Sequence, residues 1–174
     1  MTCLTASYHS QMTEVPVGLR IVAAREESLA RINVLIARSK SYWDWSADYL
    51  EKALPMHRLD AAYLRSNYCF EILNVAAELA AFASIAVASK RNTLDNLWVR
   101  PDLIGQGIGR QTCEHIFEFA RTRGWTELWV LPDPPSEQFY KRMGFSDTGE
   151  RVKSRVVNGP VSSVYRVQLP REID

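Results

Sequence analysis

The sequence contains few cysteines, and their spacing excludes two classes of protein. Three occur among the 174 residues, Cys3, Cys69 and Cys113, an odd number without metal-ligand spacing between them. Small disulfide-stapled domains need paired cysteines, and zinc sites need closely spaced ones. We therefore expect a reducing compartment, no disulfide framework and no metal site.

A long hydrophobic run is also missing. The most apolar stretch, residues 79–88, has about half of the ~20 residues that a membrane-spanning helix needs, and it is better interpreted as a buried strand. Residues 1–17 mix polar and apolar side chains and do not resemble a secretory signal. The expectation is a cytoplasmic protein that makes no use of a membrane.

Charge of one sign is not in excess. The formal net charge is +1, so no overall field would draw the chain onto nucleic acid or an acidic membrane. With 47% hydrophobic and 24% charged residues, the composition is that of one globular domain with a sizeable core. We expect residues 1–17 to be a tail and residues 18–170 to form that domain.

The hydrophobic pattern predicts an α/β fold, a single mixed, mostly antiparallel sheet flanked by helices. Short breaks between three central strands are typical of antiparallel hairpins. Helices are indicated by apolar residues three and four positions apart. The predicted strands cover residues 19–24, 68–75, 79–89, 93–99, 127–131, 150–157 and 162–169, and the predicted helices cover 28–39, 46–55, 108–123 and 134–143, the last with Asp133 as its N-cap.

The sharpest motif is a glycine-rich turn between a predicted strand and a predicted helix. Gly105, Gly107 and Gly109 alternate in the run IGQGIGR at 104–110. Glycines let consecutive backbone N–H groups converge, and a helix N-terminus adds partial positive charge. Such a turn suits a phosphate or pyrophosphate, and Arg110 could add a charge-assisted contact.

Two familiar phosphate loops do not match this turn. A Walker motif ends in Gly-Lys-Ser/Thr, but Gly109 is followed by Arg110 and Gln111. A dinucleotide fingerprint needs a third glycine at G-x-G-x-x-G spacing, which residues 110–112 do not supply. A tight turn without any ligand is the open alternative.

Two motifs together resemble a known family. The run VRP at 99–101 followed by GQGIGR at 105–110 is similar to the acetyl-CoA pyrophosphate loop of the GNAT family of N-acetyltransferases. FYKRMGF at 139–145 resembles that family's FYxxxGF segment, and the two motifs come in the family's order. The resemblance extends loosely over residues 19–169, and its specific part is 93–145.

The resemblance implies the fold, activity and cosubstrate of that family. By this resemblance, an acetyl-CoA-dependent enzyme would move the acetyl group directly to a primary amine of a small molecule or peptide in a ternary complex. The reaction would need no metal. A homodimer is compatible with the resemblance. The backbone of Leu97 and Val99 would pair with the pantetheine arm. The pyrophosphate would be held by the amides of Gln106, Gly107, Ile108, Gly109 and Arg110.

Two positions depart from the family pattern. Ile104 stands where the family usually has Gln or Arg, but that contact is mostly made by backbone, so we expect binding to survive. Asp133 or Pro135 lies near the position where relatives often carry an Asn that touches pantetheine. One hydrogen bond of the family pattern is thereby in doubt.

Tyr140 and Asp95 are the candidate catalytic residues. Tyr140 resembles the family tyrosine that acts as general acid near the CoA sulfur, and a phenol can protonate a thiolate. A core aromatic is the alternative. Relatives that use a base often take it from the strand before the loop, where Asp95 lies; the alternative is a solvated strand residue. The thioester carbonyl would be polarised by a backbone N–H of Leu97 or Val99.

Three aromatic residues between the first two predicted helices are candidates for acceptor binding. Tyr42, Trp43 and Trp45 lie in a connection that borders the acceptor pocket in the family. They would contact an amine through apolar and cation–π interactions, or else form an aromatic helix–helix corner. A non-catalytic acyl-CoA-binding or regulatory module on the same fold is the alternative function, and Tyr140 and Asp95 favour the enzyme.

Overall fold

Seven strands and five helices make up the described part of the chain, residues 18–87 and 91–169 of a computed structural model. The strands are β1 (Arg20–Ala23), β2 (Tyr68–Leu73), β3 (Leu79–Ala86), β4 (Thr93–Val99), β5 (Glu127–Val130), β6 (Ser146–Lys153) and β7 (Val161–Gln168). The helices are α1 (Leu29–Ser41), α2 (Ala47–Ala53), α3 (Ala61–Ser66), α4 (Ile108–Thr122) and α5 (Glu137–Arg142). Short 3₁₀ turns occur at Glu26–Ser28, Leu54–His57, Pro101–Leu103 and Pro134–Ser136.

The sheet topology confirms the predicted mixed, mostly antiparallel architecture. From edge to edge the order is β1-β2-β3-β4-β5-β7-β6. The pair β4–β5 is parallel, and the other described neighbours are antiparallel. A parallel pair needs a long crossover connection, which α4 provides.

Alternation along β3 explains how the sheet supports two cores. Ala81, Ala83 and Ile85 join the cluster under α4, whereas Phe82 joins the cluster around Ile32 of α1. All four of these residues, which belong to β3, are fully buried. A strand that is covered on both faces reads as a continuous apolar run, which is how residues 79–88 appear in the sequence.

Helix α4 has the clearest amphipathic pattern of the chain. Its buried face consists of residues three and four positions apart: Ile108, Thr112, Cys113, Ile116, Phe117 and Ala120. The helix ends before Gly124, whose φ of +71° is the left-handed conformation that terminates helices. The structure thus confirms this predicted helix to within one residue, and Cys113 is a packed thiol.

The structure also corrects parts of the predicted pattern. Helix α3 was not predicted, because Leu64 is its one buried residue and six residues show no apolar periodicity. Strand β6 begins at Ser146 and is almost entirely exposed, so no hydrophobic alternation indicated its start. The predicted tail at 1–17 and the end of the predicted strand at 79–89 lie outside the described residues. No helix in the described ranges is long and apolar enough to cross a bilayer.

Candidate active site

A cleft opens where β4 and β5 separate. The two strands pair at Thr93 with Trp129 and at Leu94 with Val130, and the described pairing ends there. Strand β4 continues to Val99 without a described neighbour on that side, so its backbone groups line the cleft. A cavity of about 880 Å³ occupies the gap, with walls from β4, the glycine turn, α4 and α5.

The glycine turn forms one end of this cavity. Gly105 and Gly107 have φ values of +86° and +84°, a backbone conformation that strongly favours glycine. A Cβ atom built on either residue would meet no atom within 4 Å, so open space, and not protein, lies beside them. This geometry fits a ligand that must approach the backbone closely.

Helix α4 begins directly behind the turn. Gly107 is its N-cap, and no side chain caps the helix. The N–H groups of the first turn, at Ile108, Gly109 and Arg110, therefore have no intrahelical acceptor. The amide of Gln106 differs from them because it donates to the carbonyl of Leu103 at 3.3 Å. The unsatisfied amides and the partial positive charge of the helix end suit a pyrophosphate.

The side chain of Arg110 extends along the helix surface. It is 69% exposed, and its Nε lies 2.8 Å from Oε1 of Glu114. Both residues line the outer part of the cavity, as does Arg142 of α5. A phosphate contact of the Arg110 side chain stays a prediction from the sequence.

The two motifs that carry the family resemblance meet in space at Gly109. A Cβ atom built there would lie 3.4 Å from the Phe139 ring and 3.6 Å from a methyl group of Val99. These are ordinary van der Waals distances, so the start of α4 lies directly against α5 and β4. The glycine turn and the FYxxxGF segment thus form one structural unit at the cavity.

Tyr140 lies inside this unit and lines the cavity. Its side chain is 6% exposed, and its ring makes edge contacts with Phe139 and Phe145 at centroid distances of 5.0 and 5.5 Å. Burial raises the pKa of Tyr140 well above its usual range, and the neighbouring Cys113 and Asp133 raise it further. The hydroxyl is therefore protonated at neutral pH, as a proton donor must be.

Asp95 is held in a polar cluster formed by Tyr63, Ser84, Asp95 and Asn96. The register between β3 and β4 shifts at this point, because Ser84 pairs with Asn96 and Ile85 with Leu94. The Tyr63 hydroxyl donates to Oδ2 of Asp95, and Nδ2 of Asn96 lies 3.2 Å from the same oxygen. Asp95 itself is exposed and lines the cavity.

The cluster also fixes the hydroxyl of Tyr63. That oxygen lies 2.8 Å from Oγ of Ser84 and accepts from Nδ2 of Asn96 at 2.9 Å. Burial, together with the hydrogen bond to Asp95, raises the pKa of Tyr63 above its usual range. Tyr63 therefore stays a hydrogen-bond donor, and the Asp95 carboxylate is held by Tyr63 of α3 and Asn96 of β4, both of which Ser84 of β3 contacts in turn.

Of the three aromatic candidates, Trp43 lines the cavity. Tyr42 is 51% exposed and contacts the Trp43 ring edge-on at 5.3 Å. Trp45 instead packs on Tyr49 and on Nζ of Lys40, which lies 4.7 Å from its ring centroid. Tyr42 and Trp45 are not among the residues that line the cavity, and acceptor contacts by all three stay a prediction.

A buried ion pair joins α1 to the segment that precedes Tyr140. Lys40 is fully buried, and its Nζ lies 2.6 Å from Oδ2 of Asp133. Asp133 occupies the predicted N-cap position, but its carboxylate makes no capping bond because it pairs with Lys40. The ion pair thus holds Asp133, which lines the cavity, against α1.

Asp133→Asn is expected to destabilise the protein by about 3 kcal/mol, because it leaves the buried Lys40 charge without its counterion. The exposed pair between Lys52 and Asp48 provides a matched control. Asp48→Asn should change the free energy of unfolding by at most about 0.5 kcal/mol. Urea unfolding of both variants measures the difference, and equal effects would contradict a structural role for the buried pair.

His57 is a cavity residue that the sequence did not reveal. It ends the 3₁₀ turn Leu54–His57, and its ring meets Trp98 edge-on at a centroid distance of 5.4 Å. Both rings line the cavity. Burial lowers the pKa of His57, and the positive charge of Lys40 lowers it further. A lone histidine at a helix end carries no pattern in the sequence that points to a site.

The fold is that of GNAT acyl-CoA N-acyltransferases, and the comparison with protein families agrees. The family described as "Acetyltransferase (GNAT) family" matches residues 36–145, more than half of the chain. The chain belongs to the GNAT family of acetyltransferases.

Individual relatives match part of the chain. The streptothricin acetyltransferase of Streptomyces lavendulae is 34% identical over 85 residues, which cover 46% of this chain and 45% of that protein. The [ribosomal protein bS18]-alanine N-acetyltransferase of Salmonella typhimurium is 33% identical over 72 residues, or 40% of this chain and 49% of that protein. The chain spans about half the length of these curated relatives.

A solved structure shares the fold over nearly the whole described chain. The PaiA N-acetyltransferase from Thermoplasma acidophilum, in complex with coenzyme A, superposes with a TM-score of 0.71. The match covers 87% of this chain and 99% of that chain at 13% sequence identity. At that identity the likeness concerns the fold.

Proposed function

We propose that the protein is an acetyl-CoA-dependent N-acetyltransferase that transfers the acetyl group directly to a primary amine. One observation carries the proposal: the glycine turn and the protonated Tyr140 line the same cavity. A phosphate-binding end and a proton donor in one cavity are what an acyl-CoA thioester and its leaving thiol require.

Acetyl-CoA would supply the activated acetyl group as a thioester. The open space beside Gly105 and Gly107 and the uncapped amides at Ile108, Gly109 and Arg110 would hold its pyrophosphate. The exposed backbone edge of β4 at Leu97 and Val99 would pair with the pantetheine arm as an added strand does. A backbone N–H of the same strand would polarise the thioester carbonyl.

Tyr140 would donate the proton that the departing thiolate needs. Its raised pKa keeps the proton on the hydroxyl at neutral pH. No described residue accepts a hydrogen bond from that hydroxyl, so none competes with the thiolate for the proton. Because the ring is packed between Phe139 and Phe145, the donor would be held in place while the C–S bond breaks.

The acceptor end of the cavity fits an amine that arrives as an ammonium ion. Its walls carry the indoles of Trp43 and Trp98 and the carboxylates of Asp95 and Asp133. Aromatic faces and carboxylates both attract a cation. The acceptors named for the relatives are streptothricin, a small molecule, and a ribosomal protein alanine. Both classes are therefore candidates here.

Thiol release in the presence of acetyl-CoA tests the proposal. We expect free CoA to appear when the protein is incubated with acetyl-CoA and a panel of small di- and polyamines or peptides with free N-termini. The matched control is the same panel with its amines methylated to quaternary ammonium, which keeps the charge and removes the nucleophile. Equal thiol release with and without an amine would contradict acetyl transfer.

A further inference from the structure

Acetyl transfer to an amine needs a group that removes a proton from the acceptor. A primary amine with a pKa near ~10 is an ammonium ion at neutral pH, and its nitrogen has no lone pair to attack with. Asp95 is the candidate from the sequence, but its Oδ2 already accepts from the Tyr63 hydroxyl and lies 3.2 Å from Asn96. The polar cluster makes Asp95 a fixed anionic contact for the ammonium.

His57 lies on the same cavity wall and has its ring nitrogens available. The ring is fixed by its edge contact with Trp98, and no described residue forms a hydrogen bond with either nitrogen. The residue is half-buried and is one of the residues that line the cavity. A neutral imidazole in this position offers a lone pair to a bound ligand.

We propose that His57 is a further catalytic residue, the general base that takes the proton of the acceptor ammonium. The proposal rests on the proposed N-acetyltransferase activity. An N–H bond of the ammonium breaks, its electron pair stays on nitrogen, and the proton moves to the unprotonated ring nitrogen of His57. The amine lone pair then forms the N–C bond while the C–S bond breaks and the Tyr140 proton passes to the thiolate, and the nitrogen releases its second proton to solvent to give the neutral amide. Solvent afterwards takes the imidazolium proton and reprotonates Tyr140.

The charges around His57 suit this role. Lys40 of α1 faces it and, with burial, lowers its pKa, so the ring is neutral near pH 7 and can accept a proton. Asp133, before α5, and Asp95, on β4, act in the opposite direction and do not reverse the shift. The same two carboxylates lie where the imidazolium would form, and their negative charge would stabilise it.

The pH dependence of kcat/KM for the amine acceptor, measured on the whole chain, tests the proposal. For the wild type we expect the rate to rise with pH through an apparent pKa below ~6.5 and then to reach a plateau. His57→Gln should lower kcat roughly 10²–10³-fold and remove the plateau, so that the rate rises up to the pKa of the acceptor amine. The KM for acetyl-CoA should not change.

Two variants control for other roles. His115→Gln alters a half-buried histidine of α4 that contacts Phe70 and does not line the cavity, so its profile should match the wild type. Asp95→Asn should raise the KM for the amine and keep the plateau. A plateau that persists in His57→Gln and disappears in Asp95→Asn would overturn the proposal and assign the base to Asp95. A wild type that releases no thiol with any amine would instead refute the proposed function.

Discussion

Tyr140→Phe is expected to lower the rate of acetyl transfer roughly 10²–10⁴-fold while the dissociation constant of acetyl-CoA stays nearly the same. The substitution keeps the ring and its contacts with Phe139 and Phe145 and removes the one proton that the thiolate would receive. Single-turnover rates measured at saturating acetyl-CoA report the chemical step, and a separate titration reports binding.

Tyr165→Phe is the matched control for this experiment. Tyr165 is another buried tyrosine, on β7, and its hydroxyl donates to Glu137 at 3.0 Å. It does not line the cavity, so its loss should leave the transfer rate within a few-fold of the wild type. Parallel loss of rate and binding in Tyr140→Phe would mean that the hydroxyl positions the cosubstrate, and an unaltered rate would remove Tyr140 from the mechanism.

Gly107→Val is expected to abolish acetyl-CoA binding. At a concentration 100-fold above its dissociation constant, acetyl-CoA should raise the melting temperature of the wild type by roughly 5–10 °C. Valine is strained at a φ of +84°, and its side chain would occupy the open space that a pyrophosphate needs. The variant should therefore show no shift with acetyl-CoA.

Gly149→Val separates strain from binding. Gly149 has the same φ of +84° and open surroundings, but it lies on β6, away from the cavity. This variant should lose a similar amount of stability, about 1–3 kcal/mol, and still respond to acetyl-CoA. A full acetyl-CoA shift in folded Gly107→Val would show that the pyrophosphate binds elsewhere, and an equal shift of the wild type with ATP or NAD would contradict a CoA site.

Much of the fold could be predicted because its signals are local. The amphipathic face of α4 repeats within fifteen residues, and β3 is one apolar run. The glycine turn and the segment around Tyr140 are short motifs whose residues follow one another in the chain. Local patterns of this kind can be recognised in a single sequence because their residues belong to one helix, strand or turn.

The acceptor end of the cavity could not be predicted in the same way. The Lys40–Asp133 pair joins residues 93 positions apart, and Tyr63 reaches Asp95 from a helix with no apolar periodicity. His57 and Trp98 meet across 41 positions of sequence and share no motif. Such contacts depend on how the elements pack against one another, so they cannot be predicted from a pattern along the chain.

The stoichiometry of the products distinguishes acetyl transfer from acyl-CoA binding alone. Wild-type protein is incubated with acetyl-CoA and an amine acceptor, and free thiol and N-acetylated amine are quantified in the same samples over time. The proposed N-acetyltransferase predicts that the two products accumulate in equal amounts over many turnovers, and that Tyr140→Phe slows both equally. Saturable binding of acetyl-CoA without either product, for every acceptor tried, would contradict N-acetyltransferase activity and favour a non-catalytic acyl-CoA-binding module.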